Sequence, residues 1–290
     1  MRIQPTAFVA EGAKLAGLAA RLGTLLANRG RHRAVREAVG RPIFAAIRAR
    51  QPQLARKYLN PFHLAIGLTS DERAALMIHH YDFIATKVPA ATFSAIVDGG
   101  KRLWCHDSDA GHHRVDVVFS HPTDNEGELT LKYTLDDAIL SICSFSFAPG
   151  SLAGSPAETI IAVTRIQGMP ADLNRLRAAI RSLGNLSPAI VFIAVLAGIA
   201  NCYGIPALAG IAGSAQPARD TGDEQAFANV YDAFFESIGG VRATPAFYRI
   251  ALPRPEKPLS EVKRTKRART VGQRELRACI RRSACMAFSS

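Results

Sequence analysis

Two acidic residues separated by a single glycine, Glu126 and Glu128, stand at the start of an alternating stretch in the middle of the chain. A carboxylate that is partly removed from water at such a position can deprotonate an amine or hydroxyl nucleophile. The same two side chains can equally be solvated charges of a hairpin. Glu126 and Glu128 are therefore candidate catalytic bases, with the solvated hairpin as the alternative.

A second polar cluster, CHDSDAGHH at residues 105–113, contains side chains that can bind metal ions. However, Asp-Ser-Asp-Ala-Gly between two strands is typical turn sequence, and adjacent histidines on a strand point to opposite faces of the sheet. We therefore predict a turn here rather than a metal site. His80 and Tyr81 lie in a helical pattern, and we expect them to stabilise helix packing.

Helical patterns fill the first hundred residues. Apolar residues recur at helical spacing over residues 7–27, and a second helical stretch covers roughly residues 31–59. A third helix begins at TSDERAALMIHHYDFI, where Thr69 or Ser70 can cap the free N–H groups of the first turn. The first part of the chain is therefore predicted to be helical.

The pattern changes to short strand-like runs after Gly99 and Gly100. Leu129–Leu135 alternates with period two, which is typical of a half-buried strand, and Asp136-Asp137 suggests a hairpin after it. Further on, DEQAFANVYDAFFESIGG predicts an amphipathic helix and AFYRIAL a strand. These patterns predict an α+β fold, with a mixed, mostly antiparallel sheet and flanking helices, rather than a regular βαβ repeat.

The segment SPAIVFIAVLAGIANCYGIPALAGIAG, residues 187–213, contains no charged residue. A helix that starts at Pro188 can run only to about Tyr203 before Gly204-Ile205-Pro206 breaks it, which is shorter than the roughly 20 residues needed to cross a bilayer. A buried helix followed by a central parallel strand explains the missing charges without lipid. The sequence thus favours the core of a soluble domain over a membrane span.

Charge and cysteine content bear on partners and compartment. The formal net charge of +12 is concentrated in the N-terminal third and after Pro253, which favours anionic partners, although basic residues can also simply solvate surface helices. The basic tail lacks interleaved aromatic residues and a recognised reading motif, so nucleic acid is the less favoured partner. Five irregularly spaced cysteines without a C-x-x-C pair, and no signal-peptide pattern near Met1, predict a reducing, cytoplasmic compartment without a disulfide framework.

Several segments together resemble the VirK/YbjX family of bacterial envelope- and virulence-associated proteins. The segments are ERAALMIHHYDF, EGELTL, RIQG, the Pro-initiated apolar helix after Gly184, YDAFFESIGG and the basic KRTKRAR. Their order and spacing carry the resemblance, which covers the chain from about Tyr58 to the tail. The family usually has Trp where this chain has Phe235, and an Arg-Pro pair where it has Ser187-Pro188, so the roles of these positions stay open.

The resemblance implies a cytoplasmic protein of Gram-negative bacteria that is associated with virulence, outer-membrane integrity and resistance to cationic antimicrobial peptides. It implies no particular reaction. With this association, an anionic membrane surface or envelope component is the expected partner of the basic tail, since each clustered Lys or Arg near a bilayer adds about 1 kcal/mol of attraction. The protein is then expected to be peripheral to the inner membrane.

The order of elements after residue 98 looks like the acetyltransferase fold. In that fold a strand ends in a loop whose free N–H groups, at a helix N-terminus, hold the pyrophosphate of coenzyme A or the arm of an acyl carrier protein. Gln167, Gly168, Met169 and Ala171 stand in that loop here and are the candidate cofactor-binding residues, although the usual Q/R-x-x-G-x-G/A pattern is absent. The alternative is a plain strand-to-helix turn with Pro170 in the first turn of the helix.

Tyr231 completes the candidate chemistry as the acid that protonates the leaving thiolate, although the tyrosine of the acetyltransferase fold would align better with Phe235. The leading hypothesis is an acyltransferase that uses acyl-coenzyme A or an acyl carrier thioester and supports the envelope. The alternative is a non-catalytic binding or chaperone-like factor for envelope or secreted proteins. We expect three parts: a helical region at residues 1–98, an α+β acetyltransferase-like domain at 99–252 and a basic tail at 253–290.

Overall fold

The computed structural model describes residues 29–169, 173–217 and 224–290. The helix predicted at residues 7–27 and the candidate cofactor-binding residue Ala171 lie outside these ranges. Within them the fold is α+β: helices flank one eight-stranded, mostly antiparallel sheet. The predicted fold class is confirmed.

Four α-helices precede the sheet in the described chain: α1 (Arg29–Gly40), α2 (Ala45–Arg50), α3 (Ser70–Lys87) and α4 (Ala90–Asp98). The second helical stretch, predicted at roughly residues 31–59, is helical but divided into α1, α2 and two 3₁₀ turns. Pro42 stands in the first of these turns and Pro52 precedes the second. Proline interrupts a helix because it has no N–H group and its ring clashes with the preceding turn.

Helix α3 starts as the sequence predicts. The Thr69 hydroxyl accepts a hydrogen bond from the N–H of Glu72 at 3.2 Å, and the Glu72 carboxylate accepts one from the N–H of Thr69 at 2.7 Å. This reciprocal capping box satisfies two backbone donors that would otherwise lack a partner at the helix start. It fixes the beginning of the helix that carries His79, His80 and Tyr81.

The first five strands form an antiparallel meander: β1 (Lys101–Ser108), β2 (Gly111–Phe119), β3 (Leu129–Leu135), β4 (Ala138–Pro149) and β5 (Thr159–Gly168). The predicted hairpin between β3 and β4 is confirmed, since Asp136 and Asp137 have φ of 47° and 66°. Two consecutive left-handed residues make the two-residue turn that matches the twist of paired strands. The turn predicted within residues 105–113 also exists, as the tip of the β1–β2 hairpin.

Strand β3 corrects the sequence interpretation in one respect. It was expected to be half-buried, but both faces are covered, and only Lys132 keeps partial exposure. Thr130 and Thr134, on the supposedly solvated face, are nearly inaccessible. The Thr130 hydroxyl lies 2.8 Å from the Ser120 hydroxyl, whereas the buried Thr134 hydroxyl forms no hydrogen bond with the residues that the structure describes.

The remaining elements extend the sheet beyond β5. They are α5 (Leu173–Ser182), α6 (Pro188–Cys202), β6 (Ala207–Ile211), α7 (Glu224–Ser237), β7 (Val241–Arg242), β8 (Phe247–Ala251) and α8 (Arg267–Ser289). The strand order is β1-β2-β3-β4-β5-β6-β8-β7, with β6 parallel to β5. The helix and strand predicted from DEQAFANVYDAFFESIGG and AFYRIAL are confirmed.

The charge-free segment folds as a core helix and a core strand, as predicted. Ser187 caps α6, all residues from Val191 to Ala200 are buried, and every residue of β6 is buried. Strand β6 lies between β5 and β8, so its apolar side chains are covered on both faces. In the described ranges, no helix combines the length and the apolar character needed to span a membrane.

Helix α8 packs along α6, and a disulfide joins the two. Cys202 of α6 is bonded to Cys285 of α8. The prediction of no disulfide is therefore wrong. It failed because the two cysteines are 83 residues apart in sequence and meet only when the helices pack. Disulfides persist in oxidising compartments, so the cysteine content no longer argues for a reducing one.

A glycine sets the distance between α6 and α8. A Cβ atom added at Gly198 would lie 2.4 Å from the carbonyl oxygen of Arg281 and 2.9 Å from its Cα. Both atoms belong to the backbone, so only a movement of one helix away from the other could make room. Gly198 lies one turn before Cys202 and Arg281 one turn before Cys285, so the two helices run parallel at this contact.

Gly198→Ala is therefore expected to destabilise the protein by about 1–2 kcal/mol, because helix separation outweighs the gain in helix propensity. Gly272→Ala, in α8, is the matched control, since no atom lies within 4 Å of a Cβ built there. The control should be neutral or stabilising by up to about 1 kcal/mol. Chemical denaturation of both variants measures the difference. Equal stabilisation by both substitutions would contradict the close contact.

Candidate functional site

Strands β5 and β6 separate after three paired residues. Ile161, Ala162 and Val163 pair with Leu208, Ala209 and Gly210, whereas β5 continues to Gly168 along β4 without β6 beside it. From Thr164 to Ile166 this edge of β5 has no strand of the described chain paired with it, and we call this region the β5–β6 fork. Backbone N–H and C=O groups at such an edge need other hydrogen-bond partners.

Side chains from two other elements supply these partners. The carbonyl oxygen of Thr164 accepts a hydrogen bond from the buried Gln216 amide at 3.1 Å. The hydroxyl of Tyr231, on α7, accepts from the N–H of Ile166 at 3.1 Å and donates to the C=O of the same residue at 2.9 Å. Tyr231 thus takes the place of a neighbouring strand at the fork.

Glu126, one of the two predicted bases, lies close to the fork. Its carboxylate is 3.4 Å from the guanidinium of Arg165, which also pairs with Asp124 at 3.2 Å. The backbone oxygen of Glu126 accepts a hydrogen bond from the hydroxyl of Thr164. The structure therefore brings Glu126 and Tyr231 to neighbouring residues of β5, with the positive charge of Arg165 beside them.

The proton states at the fork follow from burial. Burial raises the pKa of Tyr231 to about 12, so its phenol keeps the proton at neutral pH. Burial also raises the pKa of the Cys143 thiol, which stands opposite Ile166 in the β4–β5 ladder. The fork thus holds one phenol and one thiol as proton donors, next to an arginine that can stabilise negative charge.

Phe235 stands near Tyr231 on α7 and packs directly onto the sheet. A Cβ atom added at Gly210 would lie 2.4 Å from the Phe235 ring, so glycine is what allows the ring to approach β6. Phe235 is inaccessible to solvent and stacks on Tyr248. The residue that aligns best with the tyrosine of the acetyltransferase fold is thus a packing residue here, and Tyr231 carries the only hydroxyl of the two.

The predicted cofactor loop begins at the end of β5. Gln167, Gly168 and Met169 are all exposed. The C=O of Gln167 accepts from the Ser141 hydroxyl at 2.8 Å, and the N–H of Met169 donates to the C=O of Leu140 at 3.0 Å. The amide of Met169 is therefore already bonded and not available to a phosphate.

Helix α5 follows this loop. Its exposed Arg175 and Arg177 lie in the first turns and bring positive charge close to the loop. Cations combined with the positive end of a helix dipole favour an anion at this end of the helix. A phosphate could therefore be held by Arg175 and Arg177 of α5, but not by the backbone N–H of Met169.

Glu128, the second predicted base, lies in different surroundings. Its carboxylate is fully buried, receives a hydrogen bond from Lys57 Nζ at 3.1 Å and another from the Tyr81 hydroxyl at 2.5 Å. His63 Nε2 lies 3.4 Å from the same carboxylate without hydrogen-bond geometry. These residues, which we call the Glu128 cluster, join α3 and the preceding 3₁₀ turn to the start of β3.

The charges of the Glu128 cluster are fixed by opposing effects. Burial raises the pKa of Glu128, but the nearby Lys57, His63 and His80 and the Tyr81 hydrogen bond outweigh it and bring the pKa to about 2. Burial lowers the pKa of His63 to about 3 and that of His80 to about 4. At neutral pH both histidines are neutral, and the carboxylate is held by the Lys57 ammonium. These surroundings favour a structural role, and the catalytic role of Glu128 stays a prediction.

The amino-acid sequence matches a known protein family. Residues 22–271 match the model of the DUF535 family, which is described as a protein of unknown function. The chain belongs to the DUF535 family. No curated protein and no solved structure matches it significantly, so the likeness of this DUF535 chain to the acetyltransferase fold stays a prediction. The family match is consistent with the resemblance to VirK/YbjX proteins.

In the histidine-rich hairpin of this DUF535 protein, the two adjacent histidines His112 and His113 have different surroundings. His113 is buried and its Nδ1 lies 2.6 Å from the Tyr133 hydroxyl, while its Nε2 lies 2.8 Å from the Ser108 hydroxyl. His112 points elsewhere and contacts Asp107 at 2.6 Å. The two adjacent histidines therefore have separate partners, as expected for alternate directions on a strand. Among the described residues, no group of three or more His, Cys, Asp or Glu has the geometry of a metal site.

Sequence reasoning missed three residues that matter in this DUF535 structure. Lys57 holds Glu128, Gln216 closes the fork at Thr164, and Arg165 pairs with Glu126. Arg165 was noticed only as part of the RIQG motif. Lys57 and Gln216 carry no local signal, because a single lysine or glutamine in a polar stretch is ordinary until its distant partner is known.

Proposed function

We propose that this protein is an acyltransferase that takes an acyl group from a coenzyme A or acyl carrier thioester and acts on a component of the bacterial envelope. The β5–β6 fork is the observation that carries the proposal. An unpaired strand edge binds extended molecules through its backbone amides. The pantetheine arm that coenzyme A and acyl carrier proteins share is extended and carries amide groups, so it suits this edge.

The fit requires local changes, because Gln216 occupies the C=O of Thr164 and Tyr231 the next backbone groups of the same edge. Tyr231 occupies both backbone groups of Ile166, so an arm that pairs with β5 there must displace its hydroxyl. The displaced phenol would stay at the fork, because α7 holds its backbone in place. It would then lie beside the bound arm as a neutral proton donor, since burial raises its pKa to about 12.

The thioester supplies a carbonyl carbon that is open to attack and a thiolate leaving group. In our proposal Glu126 accepts the proton of an attacking amine or hydroxyl as the new C–N or C–O bond forms. Tyr231 gives its proton to the sulfur as the C–S bond breaks, and exchange with water restores both residues. Arg165 positions Glu126, and Arg175 and Arg177 on α5 are the candidates for holding the phosphates of the donor.

Binding is the first test. The melting temperature of the purified protein is measured against coenzyme A, acetyl-, decanoyl- and palmitoyl-coenzyme A, and acyl carrier protein. A ligand that binds the native state must raise the melting temperature with its concentration. We expect such a rise with at least one thioester. No shift with any of them would overturn the acyltransferase proposal.

Tyr231→Phe separates binding from chemistry. We expect this variant to bind the thioester as well as the wild type or better, because Ile166 loses its internal partner. Release of free thiol should fall by about 100-fold or more, as expected when a general acid is removed. Tyr248→Phe removes a hydroxyl from the ring that stacks on Phe235 and is the matched control, with unchanged turnover. Equal turnover of the two variants would exclude Tyr231 as the acid.

A non-catalytic binding factor is the second candidate, and one observation favours it. The backbone groups of the fork at Thr164 and Ile166 already have internal partners, so the fold does not require a ligand there. On this reading a cytoplasmic protein, peripheral to the inner membrane, would use its basic C-terminal residues to contact an anionic membrane surface or envelope component. Sedimentation with anionic and with zwitterionic vesicles distinguishes the two candidates, when it is combined with the thioester panel.

A further inference from the structure

A groove runs beside the contact between α6 and α8. It has a volume of about 510 Å³ and is closed on its third side by residues 252–257, which follow β8. We call it the α6–α8 groove. None of its lining residues belongs to the β5–β6 fork, so the inference drawn from it does not rest on the proposed acyl transfer.

The floor of the groove is apolar. Ile190, Ile193, Ala194 and Ala197 line it from α6. These positions follow a spacing of three and four, so they form one stripe along the helix. A stripe of this kind offers an extended apolar contact to a hydrocarbon chain.

The rim of the groove is basic. Arg254, Lys257, Arg274, Arg277 and Arg281 line it, together with a single carboxylate, Glu256. The Glu256 carboxylate is shared between Arg274 at 2.9 Å and Arg277 at 3.0 Å. The single negative charge of Glu256 is therefore already shared by two guanidinium groups, and the rim carries three further cations, Arg254, Lys257 and Arg281.

The other two arginines of the rim, Arg254 and Arg281, form no ion pair with Glu256. Arg254 donates to the backbone oxygen of Ile238 at 2.9 Å, and Arg281 forms no ion pair with any residue that the structure describes. Burial, together with the charges of Arg277 and Arg281, lowers the pKa of Arg254, and the charge of Glu256 opposes this only in part. Partly buried like charges repel one another, and a bound anion relieves that repulsion.

We propose that the α6–α8 groove binds a single-chain anionic amphiphile. The anionic head, a phosphate or carboxylate, would lie against Arg254, Arg277 and Arg281. Guanidinium groups bind both kinds of head through paired hydrogen bonds. The acyl or alkyl chain would lie along the stripe of Ile190, Ile193 and Ala197. A free fatty acid and a lysophospholipid share this chemistry and differ in the head group.

Four probes separate the contributions of head and chain. Isothermal titration is carried out below micelle-forming concentrations with dodecyl phosphate, dodecanoate, dodecanol and butyl phosphate. We expect one of the first two to bind, and dodecanol and butyl phosphate to bind at least about tenfold more weakly, since each lacks the head or the chain. Tighter binding of dodecyl phosphate would point to a lysophospholipid as the natural ligand, and tighter binding of dodecanoate would point to a free fatty acid. Equal binding of dodecanol and the anionic probes would overturn the proposal.

Matched arginine variants locate the binding. Arg281→Gln should weaken binding of the preferred probe by about tenfold or more, because a charge-assisted contact is lost. Arg269→Gln makes the same charge change on an exposed position of α8 outside the groove and should alter binding by less than about twofold. Equal losses in the two variants would show general charge attraction and refute a groove site.

A third variant tests the apolar floor. Ala197→Leu should narrow the groove and weaken dodecyl binding while the weak butyl phosphate interaction stays the same. Melting curves of each variant establish that it is folded before its affinity is compared. Because Arg281 is partly exposed, its variant keeps the test decisive even if Ala197→Leu does not fold. Undiminished dodecyl binding in a folded Arg281→Gln variant also refutes the proposal.

Discussion

Lys57→Met is expected to lower the free energy of unfolding by about 3–5 kcal/mol, because it leaves the Glu128 carboxylate buried without its cation. The side chain of Lys57 is 7% exposed and that of Glu128 is fully buried, so water cannot replace the lost partner. Among the described residues, the Tyr81 hydroxyl would then be the one remaining hydrogen-bond donor to the carboxylate. Urea denaturation of the full chain measures the loss.

A double-mutant cycle separates this charge effect from packing. Glu128→Gln alone should also be destabilising, because it leaves the Lys57 ammonium buried without an anion. The double variant should be more stable than the sum of the two single changes predicts, by about 2 kcal/mol or more, since no uncompensated charge remains. Lys132→Met, on the partly exposed position of β3, is the control and should change stability by less than about 0.5 kcal/mol. Additive single effects would contradict a coupled buried pair.

The acid dependence of stability gives an independent measurement of the same cluster. The pKa of Glu128 is lower in the folded protein, about 2, than its ordinary value of 4.5. Its contribution is therefore complete above pH 4.5 and is lost as the pH falls towards 2, amounting to about 3 kcal/mol. His63 and His80 have folded pKa values of about 3 and 4, below their ordinary value of 6.5. They take up protons on unfolding in acid, so the protein also loses stability as the pH falls below 6.5. The Lys57→Met, Glu128→Gln variant should lose less stability between pH 4.5 and 2 than the wild type.

Removal of the Cys202–Cys285 disulfide is also expected to lower the free energy of unfolding strongly. Replacing both cysteines by serine should lower the free energy of unfolding by about 3–5 kcal/mol, because the bond closes a long loop of the unfolded chain. The sequence separation of 83 residues sets the length of this loop, and its closure restricts the unfolded state somewhat more than closure of a short loop would, because the entropy cost grows slowly with length. The effect should appear as a lower denaturation midpoint for the variant and for the wild type under reducing conditions.

Cys279→Ser provides the matched control for the disulfide. Cys279 lies on α8, like Cys285, but it is exposed and forms no disulfide. Its replacement should change the free energy of unfolding by less than about 0.5 kcal/mol. Thiol counting checks the bond directly. The denatured, unreduced chain should expose three free thiols, those of Cys105, Cys143 and Cys279, and the reduced chain all five cysteines. Five reactive thiols before reduction would refute the disulfide and restore the cysteine argument for a reducing compartment.

The candidate site was only partly predictable. Glu126 and Tyr231 were named from sequence, and the structure brings both to β5. Glu128 was named with Glu126 because the two are neighbours in sequence. The structure surrounds its carboxylate with Lys57 and Tyr81, away from the residues of the fork. Residues that are close in sequence at the start of a strand can thus enter different surroundings, because the partners that define those surroundings are distant.

Elements whose causes are local can be predicted from the amino-acid pattern alone. The Thr69 cap, the Asp136-Asp137 turn and the proline start of α6 each depend on residues within about one helical turn, so their patterns can be read directly. The charge-free segment also revealed a core helix and strand, because full burial excludes charged side chains on every face.

Contacts between groups that are distant in sequence depend on how the helices pack against the sheet. The pairs Lys57–Glu128, Ile166–Tyr231 and Cys202–Cys285 are separated by 71, 65 and 83 residues. Side-chain chemistry alone gives each of these groups many possible partners along the chain. The packing of helices against the sheet selects one of them, because a buried polar or charged group is stable only beside the partner that the fold brings to it.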